Sequence, residues 1–335
     1  MLAVFSPVAG APPDSVAAMT PRATTSRRSL RLLRRRPRIG LAMCAFLVAV
    51  AAAAAASAQT VTVVAAGDIA CEAGQAPGPR ACQQDATAAL VARIAPDAVL
   101  AVGDLQYPEG TLQQFQEGYA KNWGRFKSIT YPVPGNHAYY SGGDGYYAYW
   151  GARAGEPGKG YYSFDLGAWH ILAINSNCPA VGGCGADAPE VRWIAADLKA
   201  HPSRCALAFF HHPRFSSGPH GNDERMAPIW AALQAGGVDV VLSGHDHDYE
   251  RFALQDANGR LDPSHGIREF VVGTGGAPQY VVLWRRAHSQ ALQVGTFGVL
   301  ELTLRPDAYD WAFRPIPGGT FHDSGSTTCH GPPTP

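Results

Sequence analysis

Between Val61 and His247, five β-rich apolar runs each end in a short polar motif. In order they are Gly67-Asp68, Gly103-Asp104-Leu105-Gln106-Tyr107, Gly135-Asn136-His137, His211-His212-Pro213 and Gly244-His245-Asp246-His247. An open α/β sheet gathers its ligands at the carboxyl ends of its strands, so this layout predicts that scattered Asp, Asn and His side chains converge. A loop after a strand holds a side chain firmly while leaving its tip in solvent. The glycine ahead of four of the motifs suits the tight turn this requires. One Gly-Asp is an ordinary turn or cap; five ligand-bearing motifs in series read as a two-metal site. Asp68 and Asp104 offer hard oxygen, Asn136 a neutral carbonyl oxygen, and His211, His245 and His247 imidazole nitrogen. That mixture suits Fe, Zn or Mn better than Ca or Mg.

The first 58 residues read as a leader. A basic stretch from Arg27 to Arg38 precedes an apolar, Ala-rich run from Ile39 to Ala56, and Ala56-Ser57-Ala58 has the small-residue form of a cleavage site. The run is short for a membrane span, which needs about 20 apolar residues. A cleaved secretory signal is therefore expected, with no stable membrane anchor and a secreted or cell-envelope location. Ser26-Arg27-Arg28-Ser29-Leu30 resembles a twin-arginine export motif. Eight Arg and one Asp lie in this leader, so residues 59–335 carry 19 basic and 26 acidic side chains. A chain of that sign has no general attraction for nucleic acid or anionic membranes. Any phosphate it binds needs local positive charge. Six of the seven cysteines follow the leader, and an even number in an exported chain favours disulfides. Sequence proximity favours Cys71–Cys82 and Cys178–Cys184, leaving Cys205–Cys329.

Periodicity predicts strands over 60–66, 97–102, 161–164, 169–175, 206–210 and 238–243, with a short extended segment at 131–134. Helices are predicted over 83–94, 112–119, 189–199 and 226–234. Beyond Tyr249 the pattern is β, at 269–272, 280–284, 297–304 and 309–314. The loops 141–149 and 216–223 are expected at the pocket rim, with Tyr139, Tyr140, Tyr146 and Tyr147 available to stack on a ring. Strands alternating with helices, then strands alone, predict an α/β domain over 59–317 with two sheets packed face to face and helices outside. Gly, Ser, Thr and Pro dominate 318–335, which is expected to be a loose tail.

The motif order Gly-Asp, Gly-Asp-x-x-Tyr, Gly-Asn-His, His-x-Pro, Gly-His-x-His resembles the calcineurin-like metallophosphoesterases. Trp123-Gly124-Arg125-Phe126 and Tyr249-Glu250-Arg251 resemble the purple acid phosphatases among them. The resemblance implies the four-layer α/β/β/α metallophosphoesterase sandwich of two mixed sheets flanked by helices. It assigns Asp68, Tyr107 and His247 to a first metal, Fe(III), and Asn136, His211 and His245 to a second, Fe, Zn or Mn, with Asp104 bridging them. Many relatives carry Asp-x-His at the first motif; here that position is Ala70, and Tyr107 takes the place of the missing ligand. Two cations ~3.5–4 Å apart lower the pKa of a shared water and clamp phosphoryl oxygens, so the resemblance implies direct attack by hydroxide on a small phosphorylated substrate. His137 matches a substrate-facing histidine able to stabilise or protonate the leaving oxygen, and His220 resembles the second substrate-facing histidine. Ala138 departs from the acid that relatives often place after the first of them. A phosphomonoesterase is expected; alternatives are a phosphodiesterase or nucleotide hydrolase of the same superfamily, and a non-catalytic metal-binding surface protein. A serine hydrolase is not supported, since no Gly-x-Ser-x-Gly occurs.

Overall fold

The computed structural model describes residues 59–332; the leader expected over 1–58 lies outside them. Val63 and Ala65 of strand β1 (Val61–Ala66) face one side and Val64 and Ala66 the other, yet all four are buried. A strand covered on both faces must lie in an inner layer. The same holds for β2 (Ala98–Ala101), and β3 (Thr130–Pro132), at the sheet edge, leaves only Tyr131 partly open; both run parallel to β1. In chain order follow β4 (Tyr162–Leu166), β5 (Trp169–Ala173), β6 (Cys205–Phe209), β7 (Val240–Ser243), β8 (Tyr249–Phe252), β9 (Arg268–Val272) and β10 (Ser289–Gln293). The last three strands are β11 (Gly298–Arg305), β12 (Ala308–Pro315) and β13 (Ser324–Thr328).

They form a six-stranded sheet, β13-β12-β11-β1-β2-β3, and a seven-stranded sheet, β10-β8-β9-β7-β6-β5-β4. Both are mixed: β5, β6, β7 and β9 are parallel, while β4, β8 and β10 join antiparallel. Val63, Leu100 and Leu302 of one sheet share a core with Ile171, Leu207 and Leu242 of the other, which packs the sheets face to face. Helix α1 (Gln84–Ile94), with α2 (Leu112–Glu117), the short α3 (Asn136–Tyr139) and α4 (Asp144–Trp150), covers the outer face of the first sheet. Helices α5 (Pro189–Ala200) and α6 (Ala227–Ala235) cover the second. The expected α/β/β/α sandwich is present.

Three expectations fail. Residues 280–284 alternate like a strand but form none, and Val281, Leu283 and Trp284 are exposed. Nothing pairs with that segment, and β propensity without a partner yields a loop. The span 141–149 is not an open loop, because most of it is α4, which buries Tyr146 and Tyr149. The tail is not loose throughout: β13 pairs antiparallel with β12. Just ahead of β13, Asp323 accepts hydrogen bonds from Tyr249 Oη (2.6 Å), Arg251 Nε (2.7 Å) and Trp311 Nε1 (3.2 Å). Small residues do not preclude a strand held by its backbone, and at Gly325 the indole of Trp311 occupies the space of a Cβ. Disulfides join Cys71–Cys82, Cys178–Cys184 and Cys205–Cys329, the last tying the end of the chain to β6.

Candidate metal centre

The carboxyl ends of β1, β2, β3, β6 and β7 point to one edge of the sandwich, and the five motifs begin there. Asp68, Asp104 and His245 all have positive φ (57°, 46° and 71°). Non-glycine residues in this region cost of order 1–3 kcal/mol each and persist where their surroundings over-determine them. The glycines before them act mostly by their small size, not by turning. Only Gly103 has a left-handed φ, whereas a Cβ at Gly135 would overlap the Asp104 carboxylate, and one at Gly244 would lie 2.6 Å from Asp68 Oδ2.

Two sets of donors meet across Asp104. Tyr107 Oη lies 2.8 Å from Asp68 Oδ1 and 3.0 Å from His247 Nε2, and His247 Nε2 lies 3.2 Å from Asp68 Oδ1. On the other side, His211 Nε2 is 3.1 Å from Asn136 Oδ1, and ligand atoms of Asp104, His211 and His245 all fall within 4.8 Å of one another. Asp104 Oδ2 reaches both sets, at 3.1 Å from His211 Nε2 and 3.4 Å from Tyr107 Oη.

The groups behind these donors aim them. His211 Nδ1 is tied to the Val102 carbonyl (3.0 Å) and His247 Nδ1 to the Pro278 carbonyl (2.5 Å), which leaves each Nε2 facing the cluster. Asn136 Nδ2 donates to Tyr140 Oη (3.0 Å), turning its carbonyl oxygen inward. The remaining oxygen of Asp68 accepts from His245 N (2.9 Å), and the other oxygen of Asp104 accepts from His137 N (2.9 Å). Such outer partners are what fix ligand orientation at metal sites.

Electrostatics agree with a cation-binding cluster. Burial opposes ionisation of Asp104, but His211 and His137 beside it outweigh that and hold its carboxyl well below the usual range. Burial likewise opposes charge on His211, yet the Asp104 and Asp68 carboxylates lift it to about 9. His245 is pushed down to about 3 by burial and by neighbouring His211 and His220, leaving a neutral imidazole with a free lone pair. Burial and then Asp68 and Asp104 raise the Tyr107 phenol well above 10. Without a cation the cluster therefore holds protons on His211 and Tyr107. Imidazole nitrogen, carboxylate and amide oxygen, and a phenol that only a strong Lewis acid would ionise fit two transition-metal ions.

His212, the neighbour of His211, is turned away. Its Nδ1 meets Ser176 Oγ (2.8 Å), which also accepts from the backbone N–H groups of His211 and His212. His137 and His220 stand at the mouth. His137 Nδ1 is held by the Pro108 carbonyl (2.5 Å), and its Nε2 lies 3.9 Å from Asp104 Oδ2. His220 Nδ1 is held by Asp246 Oδ1 (2.9 Å), and its ring sits 4.0 Å from that of His245.

A profile of the family described as "Calcineurin-like phosphoesterase" matches residues 61–249. The chain belongs to the calcineurin-like phosphoesterase family. Within it, the chain is 34% identical over 122 residues to purple acid phosphatase 18 of Arabidopsis thaliana, a match that covers 35% of this chain and 26% of the plant protein. It is 28% identical over 184 residues to human acid phosphatase type 7, covering 46% of this chain and 40% of the human one. These matches thus span between a quarter and two fifths of either relative. Among solved structures, purple acid phosphatase PPD1 of yellow lupin superposes with a TM-score of 0.64 at 19% identity, over 82% of this chain and 54% of that one. GAP50, the anchor in the inner membrane complex of Plasmodium, has a TM-score of 0.59 at 12% identity, over 81% and 89%. Both share the fold. Family membership implies a binuclear metal centre.

Two side chains beside the cluster escaped the sequence reading. Asp246 lies inside the Gly-His-Asp-His motif, and its alternation with two histidines was the available signal. Tyr280 gave none. It stacks on His247 with centroids 4.0 Å apart and planes 12° from parallel. Burial, then the carboxylates of Asp68, Asp246 and Asp104, raises its phenol above the ordinary value. Of the four tyrosines expected at the rim, only Tyr140 lies open there, its ring 4.6 Å from that of His137. Tyr146 is buried, and Tyr139 and Tyr147 are bonded to each other (3.3 Å).

Proposed function

We propose that this protein is an exported binuclear phosphoester hydrolase that acts on phosphomonoesters. One observation carries the reading: Asp104 Oδ2 lies 3.1 Å from His211 Nε2 and 3.4 Å from Tyr107 Oη, between two donor sets that bring six further side chains from the strand ends. In this reading Asp68, Tyr107 and His247 hold Fe(III), and Asn136, His211 and His245 hold Fe, Zn or Mn. When bound, two such cations supply the charge that activates a water and neutralises phosphoryl oxygens.

The chain's own groups supply the proton. Both mouth histidines have Nδ1 engaged, so each presents Nε2 to the cleft. His220 is backed by the buried carboxylate of Asp246, which stabilises the imidazolium formed when Nε2 carries a proton. We assign it the leaving-group oxygen. His137 is backed by a neutral carbonyl and lies closer to Asp104, which suits contact with the phosphoryl group.

The test is purification without chelator, metal analysis, and turnover of p-nitrophenyl phosphate against bis(p-nitrophenyl) phosphate. Two transition-metal ions per chain and faster monoester turnover are expected. Monoester turnover that survives replacing both Asp104 and His245 with Ala would overturn the reading.

A further inference from the structure

The segment 277–288, which the sequence reads partly as a strand, does three things at once. Its start builds the metal centre, since Pro278 supplies the carbonyl that holds His247 and Tyr280 lies flat on the same ring. Its end is fastened to the loop that carries His220. There Arg286 N donates to Ser217 Oγ (2.8 Å) and Arg286 Nε to the Ser216 carbonyl (3.3 Å). Its middle is open to solvent: Val281 is 59% exposed, Leu283 77% and Trp284 68%. Six large apolar side chains are exposed among the described residues, and half of them stand here. Together with Ser217, Gly218, Pro219 and Arg286, these three side chains line a cavity of about 240 Å³.

Pro219 precedes His220, so this apolar shelf continues directly from the side of the site to which the leaving group was assigned. The backbone anchors at Pro278 and Arg286 fix it relative to both His247 and His220. Apolar surface this concentrated usually marks a ligand or partner. Continuity with the phosphoester site selects the occupant. We infer that Val281, Leu283 and Trp284 form a binding shelf for the organic moiety of the substrate, and that the preferred phosphomonoesters carry an apolar or aromatic alcohol. The inference rests on the function proposed above.

Alkylphosphonates test it without turnover. Binding of methyl-, hexyl- and 2-phenylethylphosphonate to the metal-loaded enzyme is measured by calorimetry, alongside Leu283→Ser/Trp284→Ser and Trp284→Phe variants. Each buried CH₂ is worth ~0.8 kcal/mol, so partial burial of a hexyl chain predicts affinity roughly 10- to 100-fold above methylphosphonate. The double variant should bring that ratio close to one, and Trp284→Phe should keep most of it. Equal affinities in the parent protein, or a ratio unchanged in the double variant, would sink the shelf. So would a concentration-dependent dimer that the double variant dissociates, because the face would then belong to a second copy. Hydrolysis of ethyl, hexyl and 2-phenylethyl phosphates, whose alcohols are of similar acidity, is followed in parallel. Length-dependent phosphonate binding with no hydrolysis of any ester would keep the shelf and refute the hydrolase reading instead.

Discussion

His220 Nδ1 lies 2.9 Å from Asp246 Oδ1, and the backbone N–H of His220 lies 3.1 Å from the same oxygen. The other Asp246 oxygen is held by Ser216 Oγ. Asp246 has no exposed surface, whereas the His220 side chain is 42% exposed. A buried carboxylate thus fixes both the position and the tautomer of an imidazole whose free nitrogen faces the cleft.

Asp246→Asn should therefore impair proton delivery more than metal binding. General acid catalysis contributes about 10²–10⁴-fold, so kcat for an alkyl phosphate is expected to fall roughly 100-fold. The fall should be much smaller for p-nitrophenyl phosphate, whose leaving group needs little protonation. Metal content should stay at two per chain. Equal losses on both substrates would make Asp246 a purely structural residue.

The cation-free cluster should respond to pH through His211. Its folded value of about 9 lies above the ordinary 6.5 because Asp104 and Asp68 outweigh the effect of burial. For a base with a raised value, the stabilisation is complete below about 6.5 and disappears as pH rises through about 9. The chelated protein should lose thermal stability across that window. A cation needs neutral His211, so binding releases a proton and metal affinity should climb with pH up to about 9. Calorimetry in buffers of different ionisation enthalpy measures that release directly. Zero proton release near pH 7 would contradict the proposed role of His211.

Glu190 gives a slope of known sign away from the metals. Its Oε1 accepts from Asn175 N (2.7 Å), while Oε2 has no partner and is buried. Burial raises the carboxyl to about 8 against the opposing pull of that N–H. For an acid with a raised value, stability is fully present below the unfolded value of 4.5 and erodes as pH rises towards about 8. Glu190→Gln keeps the acceptor and removes the ionisation. It should flatten the decline of Tm between pH 5 and 8 and raise Tm at pH 8 by roughly 5 °C. Burial likewise lifts Glu269 to about 8, so the variant should reduce the slope without abolishing it.

The sandwich was legible because its inner strands are short apolar runs closed by glycine. The ligand motifs were legible because each sits at such an end. Two of the disulfides followed from sequence proximity, and the third, Cys205–Cys329, from what remained. What was hidden depends on partners that no local pattern reveals. Residues 280–284 have the composition of a strand but no neighbour to pair with, so Tyr280 came to rest on His247. Residues 324–328 look like a tail, yet β12 supplies a ladder and Trp311 covers Gly325. The partner of His137 was equally unreadable: with Ala138 in place of an acid, the Pro108 carbonyl takes its Nδ1.

In the proposed ligand set, Tyr107 is the residue that selects the metal of the first position. Its Oη lies within 3.0 Å of both Asp68 and His247, and burial with the Asp68 and Asp104 carboxylates keeps the phenol protonated in the absence of a cation. Only a strongly acidic ion would draw the phenolate out, which favours Fe(III) over Zn or Mn. Iron-loaded, oxidised protein should absorb visible light through phenolate-to-iron charge transfer. Tyr107→Phe should abolish the band while leaving Asp68 and His247 in place. A colourless protein carrying a full complement of iron would remove Tyr107 from the ligand set. Colour that survives the substitution would come from another phenol, and Tyr280, lying 4.0 Å over the ring of His247, would be the one to replace next.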